Sequence, residues 1–226
     1  MSIWKNKFEN MFNFSKKEKS IEVKNKKEKS IEVKEKLWSI LILTLESRKD
    51  DFEYIYNKLN SQIQNLNLIK DVEILYFSDN KENSVGYKRN ELLSRSKSKY
   101  ISFVDDDDDV SDFYVKYIYD LLLEDNDCVS LNGIITFEGR NPKKFIHSLK
   151  YNSYFEKDGI YYRPPNHLNT IKRELVEKIK FPDINKGEDT DWAMNICKSG
   201  LLKTESVLDK VVYYYKFSEK TTETQK

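Results

Sequence analysis

The sequence predicts an α/β fold: a single domain with a mostly parallel central sheet flanked by helices, preceded by a basic N-terminal tail. Three observations carry that expectation. Short apolar runs at 38–45, 72–77 and 100–104 alternate with stretches of helical periodicity, an order that implies right-handed crossovers between parallel strands. The 226-residue length, with 38% hydrophobic and 13% aromatic residues, suffices for one large core. The tail stands apart by composition: residues 1–36 hold 11 Lys and 6 Glu for a net of +5, leaving −4 for the rest of a chain whose total is +1.

Taken in order, the tail contains a near-duplication, "KKEKSIEVK" at 16–24 and again at 26–34. It buries too little to offset its ordering entropy and reads as disordered or as a lone charged helix. Ahead of it, Ile3, Trp4, Phe8, Met11 and Phe12 fall near helical spacing among lysines, which suits a weak interfacial or partner-binding helix as well as a plain tail. "WSILILTL" from Trp38 to Leu45 reads as a strand buried on both faces. Phe52, Ile55, Tyr56, Leu59 and Ile63 form a helical stripe over 50–64. "VEILYF" at 72–77 is a second strand, 84–96 a weakly patterned helix and "YISFV" at 100–104 a third strand. Over 112–124 two apolar lines give a helix with a broad buried face. "CVSLNGIITF" holds one or two strands, helices are expected at about 171–180 and 188–198, and "VVYYYKF" closes the domain. The expected boundaries are a domain over 37–217, with a first half to 125 and a second half from 126, and a short tail at 218–226.

Composition excludes several classes. Only Cys128 and Cys197 occur, too few for a disulfide framework or a zinc spacing, and the expected compartment is reducing and cytoplasmic. No apolar run approaches the roughly 20 residues of a membrane span, and the N-terminus lacks a signal-peptide core. No P-loop or glycine-rich phosphate cradle is present among six glycines.

The informative stretch is "YISFVDDDDDVSDFY", in which Asp105, Asp106, Asp107, Asp108 and Asp109 follow an apolar strand directly. Ligands of open α/β sheets sit beyond the carboxyl ends of the strands. Carboxylates crowded there need a counter-charge, or some must protonate, and oxygen-only donors suit Mg²⁺ or Mn²⁺. An acidic turn capping the next helix is the structural alternative. A second acidic group, Glu188, Asp189 and Asp191 in "KGEDTDW", opens a helix. Beside a metal site, one of those carboxylates has the chemistry of a general base. "YYRPPNHLN" places Asn166 and His167 on a loop stiffened by two prolines, a candidate acceptor wall. His147 reads as structural, and Trp192 as either core or an acceptor-stacking ring.

These pieces resemble a known family. "SILILTLESR" at 39–48, "VEILYFSDN" at 72–80, "GYKRNELLSRSKSKYISFVDDDD" at 86–108 and the stretch "NHLNTIKRELVEKIKFPDINKGEDTDWAMNICKSG" at 166–200 are similar to family 2 glycosyltransferases of the GT-A fold. The likeness is greatest to small phage and bacterial members with "VDDDD" and "GED" motifs. The resemblance implies a GT-A domain that transfers a sugar from a nucleotide-sugar donor, a UDP-sugar above all, to an acceptor hydroxyl with inversion and with Mn²⁺ or Mg²⁺. It places Thr44, Glu46, Arg48, Asp79, Arg89, Asn90, Asp105 and Asp106 against the nucleotide. Asp105, Asp107 and Asp108 are implied for the metal, through the Asp-x-Asp motif, and Asp189 with Glu188 for catalysis. Proline is missing from the first turn, and Leu45 stands where the family has an aromatic. The rivals are an Mg²⁺-dependent nucleotidyl or phosphoryl transferase and a non-catalytic nucleotide-sugar-binding module. No stable protein partner is expected, though the tail leaves open an anionic acceptor or contact with a membrane surface.

Overall fold

The computed structural model describes residues 35–218. The expected tail over 1–36 lies outside the described residues but for its last two positions, and that over 218–226 but for Ser218. Among the described residues no helix is long and apolar enough to cross a membrane.

Strand β1 (Trp38–Leu45) is buried along its whole length because it lies between β2 (Val72–Asp79) and β3 (Tyr100–Phe103). Both neighbours run parallel to it, in registers that pair Trp38 with Val72 and with Tyr100. Successive side chains of a strand point to opposite faces, so β1 feeds two cores. Trp38, Ile40 and Ile42 pack with Ile55, Leu59 and Ile63 of α1 (Lys49–Asn65) and with Val115, Ile118 and Leu122 of α3 (Tyr114–Leu122). Leu41 and Leu43 join Leu92 and Leu93 of α2 (Val85–Arg95), and Trp192 and Ile196 of α5 (Glu188–Ser199), on the other face. Ser84 caps α2 by accepting from the Tyr87 N–H at 3.0 Å.

The central sheet continues from β3 through β10 (Ile171–Lys172) and β5 (Cys128–Val129) to β11 (Glu205–Ser206). Here the expected helix over 171–180 is corrected. Ile171 fills the gap between β3 and β5, antiparallel to both, and only one helical turn follows, α4 (Arg173–Val176). "CVSLNGIITF" resolves as two strands, β5 and β6 (Leu131–Phe137), that enter different sheets.

A second six-stranded sheet was not foreseen. Its order is β4 (Asp109–Val110), β12 (Val211–Phe217), β6, β7 (Arg140–His147), β9 (Ile160–Arg163), β8 (Phe155–Lys157). Pro142 sits where the β6–β7 register shifts, between Ile135 and Phe137, so its missing N–H breaks no regular ladder. Gly133 is required in this sheet: a Cβ there would lie 2.1 Å from the Phe145 ring and 2.7 Å from the Tyr213 carbonyl oxygen. The Phe145 ring therefore sits against Gly133 of β6, and the sheet presents one face, with Ile135, Phe145, His147, Arg163 and Tyr215, toward the carboxyl ends of β1 and β3.

Candidate active site

The ends of β1 and β3 lie side by side, and the segments leaving them build one cavity. Each of the five consecutive aspartates finds a cation or a hydrogen-bond donor, Asp106 and Asp107 sharing Arg48, which is how the chain tolerates the run. Asp105 accepts from Arg89 Nη2 at 3.2 Å and faces His167 Nε2 at 3.4 Å. Asp106 accepts from Thr44 Oγ1 at 2.8 Å and pairs with Arg48 Nη1 at 3.0 Å. The other arm of Arg48 holds Asp107 at 2.6 Å. Asp108 accepts from the Tyr213 hydroxyl at 2.8 Å and from the Lys216 N–H at 2.9 Å, and Asp109 turns outward to Lys58 at 2.9 Å.

The electrostatics of the run follow from these partners. Burial opposes ionisation of Asp105, yet the Arg89 guanidinium and His167 outweigh it and hold the carboxyl well below the ordinary range. Burial pushes Asp106 up to about 7, with Arg48 and Thr44 resisting. Asp107 is raised as well, by burial and by Asp105 against the pull of Arg48. Asp108 is raised well above the ordinary range by burial and the neighbouring Asp107 and Asp105.

The second acidic group reaches the same cavity through α5 and α2. Gly86 lets α2 approach the 181–185 segment closely: a Cβ would fall 1.7 Å from the Pro182 carbonyl oxygen. That approach sets Arg89 between the rings of Phe103 and Phe181, with Cζ 5.1 and 5.9 Å from their centroids. From there its Nε reaches Glu188 at 3.1 Å while Nη2 holds Asp105. His167 makes a second link, with Nδ1 3.7 Å from Asp189 Oδ2 and Nε2 toward Asp105.

The cavity gathers Thr44, Arg48, Arg89, Asp105, Asp106 and Asp107 with Asn166, His167, Glu188 and Asp189. Five expected site residues are not among its lining. Asp108 is buried against Tyr213 and the Lys216 backbone, so its place as a metal ligand is corrected to a structural one. Asp79 is held below the usual range despite burial, by Lys88 at 3.1 Å and the Asn83 N–H. It is Lys88 that lines the cavity. Glu46 accepts from Asn80 at 2.7 Å on the exposed rim. Asn90 bridges α2 to Phe181 through two backbone hydrogen bonds of 2.8 and 3.0 Å. Trp192 is core: it stacks on Phe181 at 4.4 Å and donates to the Ile179 carbonyl at 2.8 Å.

His147, expected to be structural, lines the cavity although it is fully buried. The Asn169 side chain fixes its tautomer. Asn169 Nδ2 donates to the Val129 carbonyl and its Oδ1 accepts from the Asn166 N–H, so that oxygen also accepts from His147 Nδ1 at 3.1 Å. The proton therefore sits on Nδ1 and Nε2 carries a lone pair. Burial, with Arg163 nearby, drops this imidazole to about 3 and keeps it neutral. Arg163 and Tyr215 are further lining residues missed from sequence, because only strand pairing across the second sheet brings them in.

Among the described residues no group of three or more His, Cys, Asp or Glu side chains is arranged to hold a metal ion. Asp105 and Asp107 nevertheless fit a divalent cation as a two-carboxylate site. Both face the cavity and both offer carboxylate oxygen. Mg²⁺ in particular binds through one or two carboxylates and completes its shell with water and phosphate.

A model of the family described as Glycosyl transferase family 2 matches residues 22–183. The chain belongs to glycosyl transferase family 2. The match includes Arg48, Arg89, the aspartate run and His167 but ends before Glu188 and Asp189, whose inclusion rests on the geometry above. Among solved structures the family fold is similar to TarS 1-349 of S. aureus, with 17% identity and a TM-score of 0.57 over 80% of this chain and 60% of that one. The same protein in complex with UDP-GlcNAc gives 16% identity and a TM-score of 0.58 over 84% and 61%. Its complex with UDP gives 16% and 0.55 over 81% and 61%. Likeness at this identity is likeness of fold, and the chain spans about three fifths of those TarS chains. A comparison with curated proteins finds no match.

Proposed function

We propose that this family 2 chain transfers a sugar from a nucleotide-sugar donor to an acceptor hydroxyl, with inversion at the anomeric carbon. The observation that carries the reading is the single cavity in which His167 stands between Asp105 and Asp189, joining the two acidic groups. A UDP-sugar is the preferred donor, a choice supported by the UDP-GlcNAc and UDP complexes of the TarS fold relative.

In this reading the first-half segments receive the nucleotide. Thr44 at the end of β1, Arg48 just after it, and Lys88 and Arg89 of α2 line the side proposed for the diphosphate. The Arg48 guanidinium, held on Asp106 and Asp107, sets positive charge on that side of the cavity. Asp107 with Asp105 would hold Mn²⁺ or Mg²⁺, which supplies charge neutralisation for the departing diphosphate. Arg89 and His167 fix the Asp105 carboxylate in its ionised form and in one orientation.

Asp189 is the proposed base, taking the proton of the acceptor hydroxyl as that oxygen attacks the face opposite the leaving group. Its carboxylate is 29% exposed, open enough to meet an acceptor, whereas Glu188 at 6% is locked on Arg89. Glu188 is accordingly a positioning residue that orients Arg89.

The test is incubation with a panel of nucleotide sugars and Mn²⁺, with and without chelator. Release of nucleoside diphosphate, slow into water and faster with a matching acceptor, is expected. Release of pyrophosphate would point to the nucleotidyl transferase rival, and tight donor binding without turnover to a non-catalytic module.

A further inference from the structure

The cavity contains a third arginine that the donor reading does not use. Arg48 and Arg89 are each locked on carboxylates. Arg163 lines the same cavity, yet among the described residues no carboxylate oxygen comes within ion-pair distance of it. It lies instead between two tyrosines, its Cζ 5.3 Å from the Tyr154 centroid and 5.9 Å from that of Tyr161. Aromatic rings at this distance attract a guanidinium without using its N–H donors, which stay available to a ligand.

Its location separates it from the diphosphate side. Arg163 ends β9 and pairs in parallel register with His147 of β7, on the second sheet rather than on the segments leaving β1 and β3. Asp189 and Arg163 both act on Tyr154, whose phenol burial and the Asp189 carboxylate push up to about 12 while Arg163 opposes them. Arg163 and Asp189 line the same cavity. Its neighbour His147 is neutral and presents an unprotonated Nε2, so it adds no positive charge there.

We propose that Arg163 is an acceptor-specificity residue that receives an anionic group, a phosphoryl or carboxylate, carried by the acceptor beside its reacting hydroxyl. This deepens the transferase reading and rests on it. A guanidinium in a carboxylate-rich cavity that pairs with none of those carboxylates is set for an incoming anion. Charge-assisted hydrogen bonds contribute about 1.5–3 kcal/mol, which is roughly ten- to hundredfold in affinity.

The experiment saturates the protein with UDP and Mg²⁺, so that the diphosphate side is filled, and titrates it with sulfate, a soluble tetrahedral dianion standing for a phosphoryl group. Acetate in a parallel titration stands for a carboxylate. One added anion is expected to bind without displacing UDP, with affinity falling about ten- to hundredfold in Arg163→Gln and less in Arg163→Lys. Stronger binding of sulfate than acetate assigns a phosphoryl acceptor, and the reverse a carboxylate. UDP titration of each variant reports whether its cavity is folded. Sulfate and acetate affinities equal in wild type, Arg163→Lys and Arg163→Gln overturn the assignment, as does an anion that competes with UDP. Failure of UDP to bind the wild type overturns the donor reading itself.

Discussion

Arg89→Met tests whether one buried guanidinium joins the two acidic groups. Arg89 is 5% exposed, with Nη2 3.2 Å from Asp105, Nε 3.1 Å from Glu188 and its guanidinium Cζ 5.1 and 5.9 Å from the Phe103 and Phe181 ring centroids. Methionine keeps a long side chain in that space but leaves two carboxylates without their counter-charge. Breaking a buried pair from one side costs about 3–5 kcal/mol. His167 still faces Asp105 at 3.4 Å, so the lower end applies, about 3 kcal/mol. For a domain of this size 1 kcal/mol moves Tm by about 2–4 °C, giving a drop of about 6–12 °C by calorimetry at pH 7. The deficit has a pH sign. Asp105 is held below its free value in the fold, so its contribution is present above the free carboxyl range and fades as pH falls. The gap between wild type and variant should narrow on acidification. A variant as stable as wild type at pH 7, or a gap that widens in acid, would refute the bridging role.

Three further outcomes are expected. Asp107→Ala should weaken UDP binding in Mn²⁺ by about tenfold or more and abolish the difference between Mn²⁺ and chelator, measured by titration calorimetry; an unchanged metal dependence would move the ion elsewhere. His147 is held near 3 in the fold against 6.5 when free, so the unfolded chain gains a proton across that window and the folded one does not. Stability should fall as pH drops from about 6.5 by up to about 1.4 kcal/mol per pH unit from this group, and His147→Gln should flatten the urea midpoint against pH; parallel slopes would contradict a neutral buried imidazole. Gly133→Ala should destabilise by about 1–3 kcal/mol and displace Phe145 into the cavity, so that UDP affinity falls with stability; UDP affinity equal to wild type would show that the ring does not shape the site.

The first half of the domain was legible because its signals are local. Trp38–Leu45, Val72–Asp79 and Tyr100–Phe103 each announce a strand within eight residues, and Ile55, Leu59 and Ile63 mark the helix between the first two. The second sheet was hidden because its pairings are not local: Arg163 meets His147 in parallel register, and the two residues of β4 pair with Tyr213 and Tyr214 at the far end of the chain. That distance in sequence also hid the burial of Asp108, whose partners Tyr213 and Lys216 belong to β12. Asp105, Asp107 and Asp189 were readable as crowded carboxylates at element ends. That Arg89 and His167 link them required three dimensions.

The most direct measurement is a paired determination on Asp189→Asn: the Kd for UDP with Mn²⁺, and the rate of sugar transfer to acceptor. A base that acts on the acceptor leaves the first within about twofold of wild type and lowers the second by about 10²–10⁴-fold. Transfer that persists at the wild-type rate, or a UDP affinity that collapses together with it, would contradict a donor site at Asp105–Asp107 served by a base on α5.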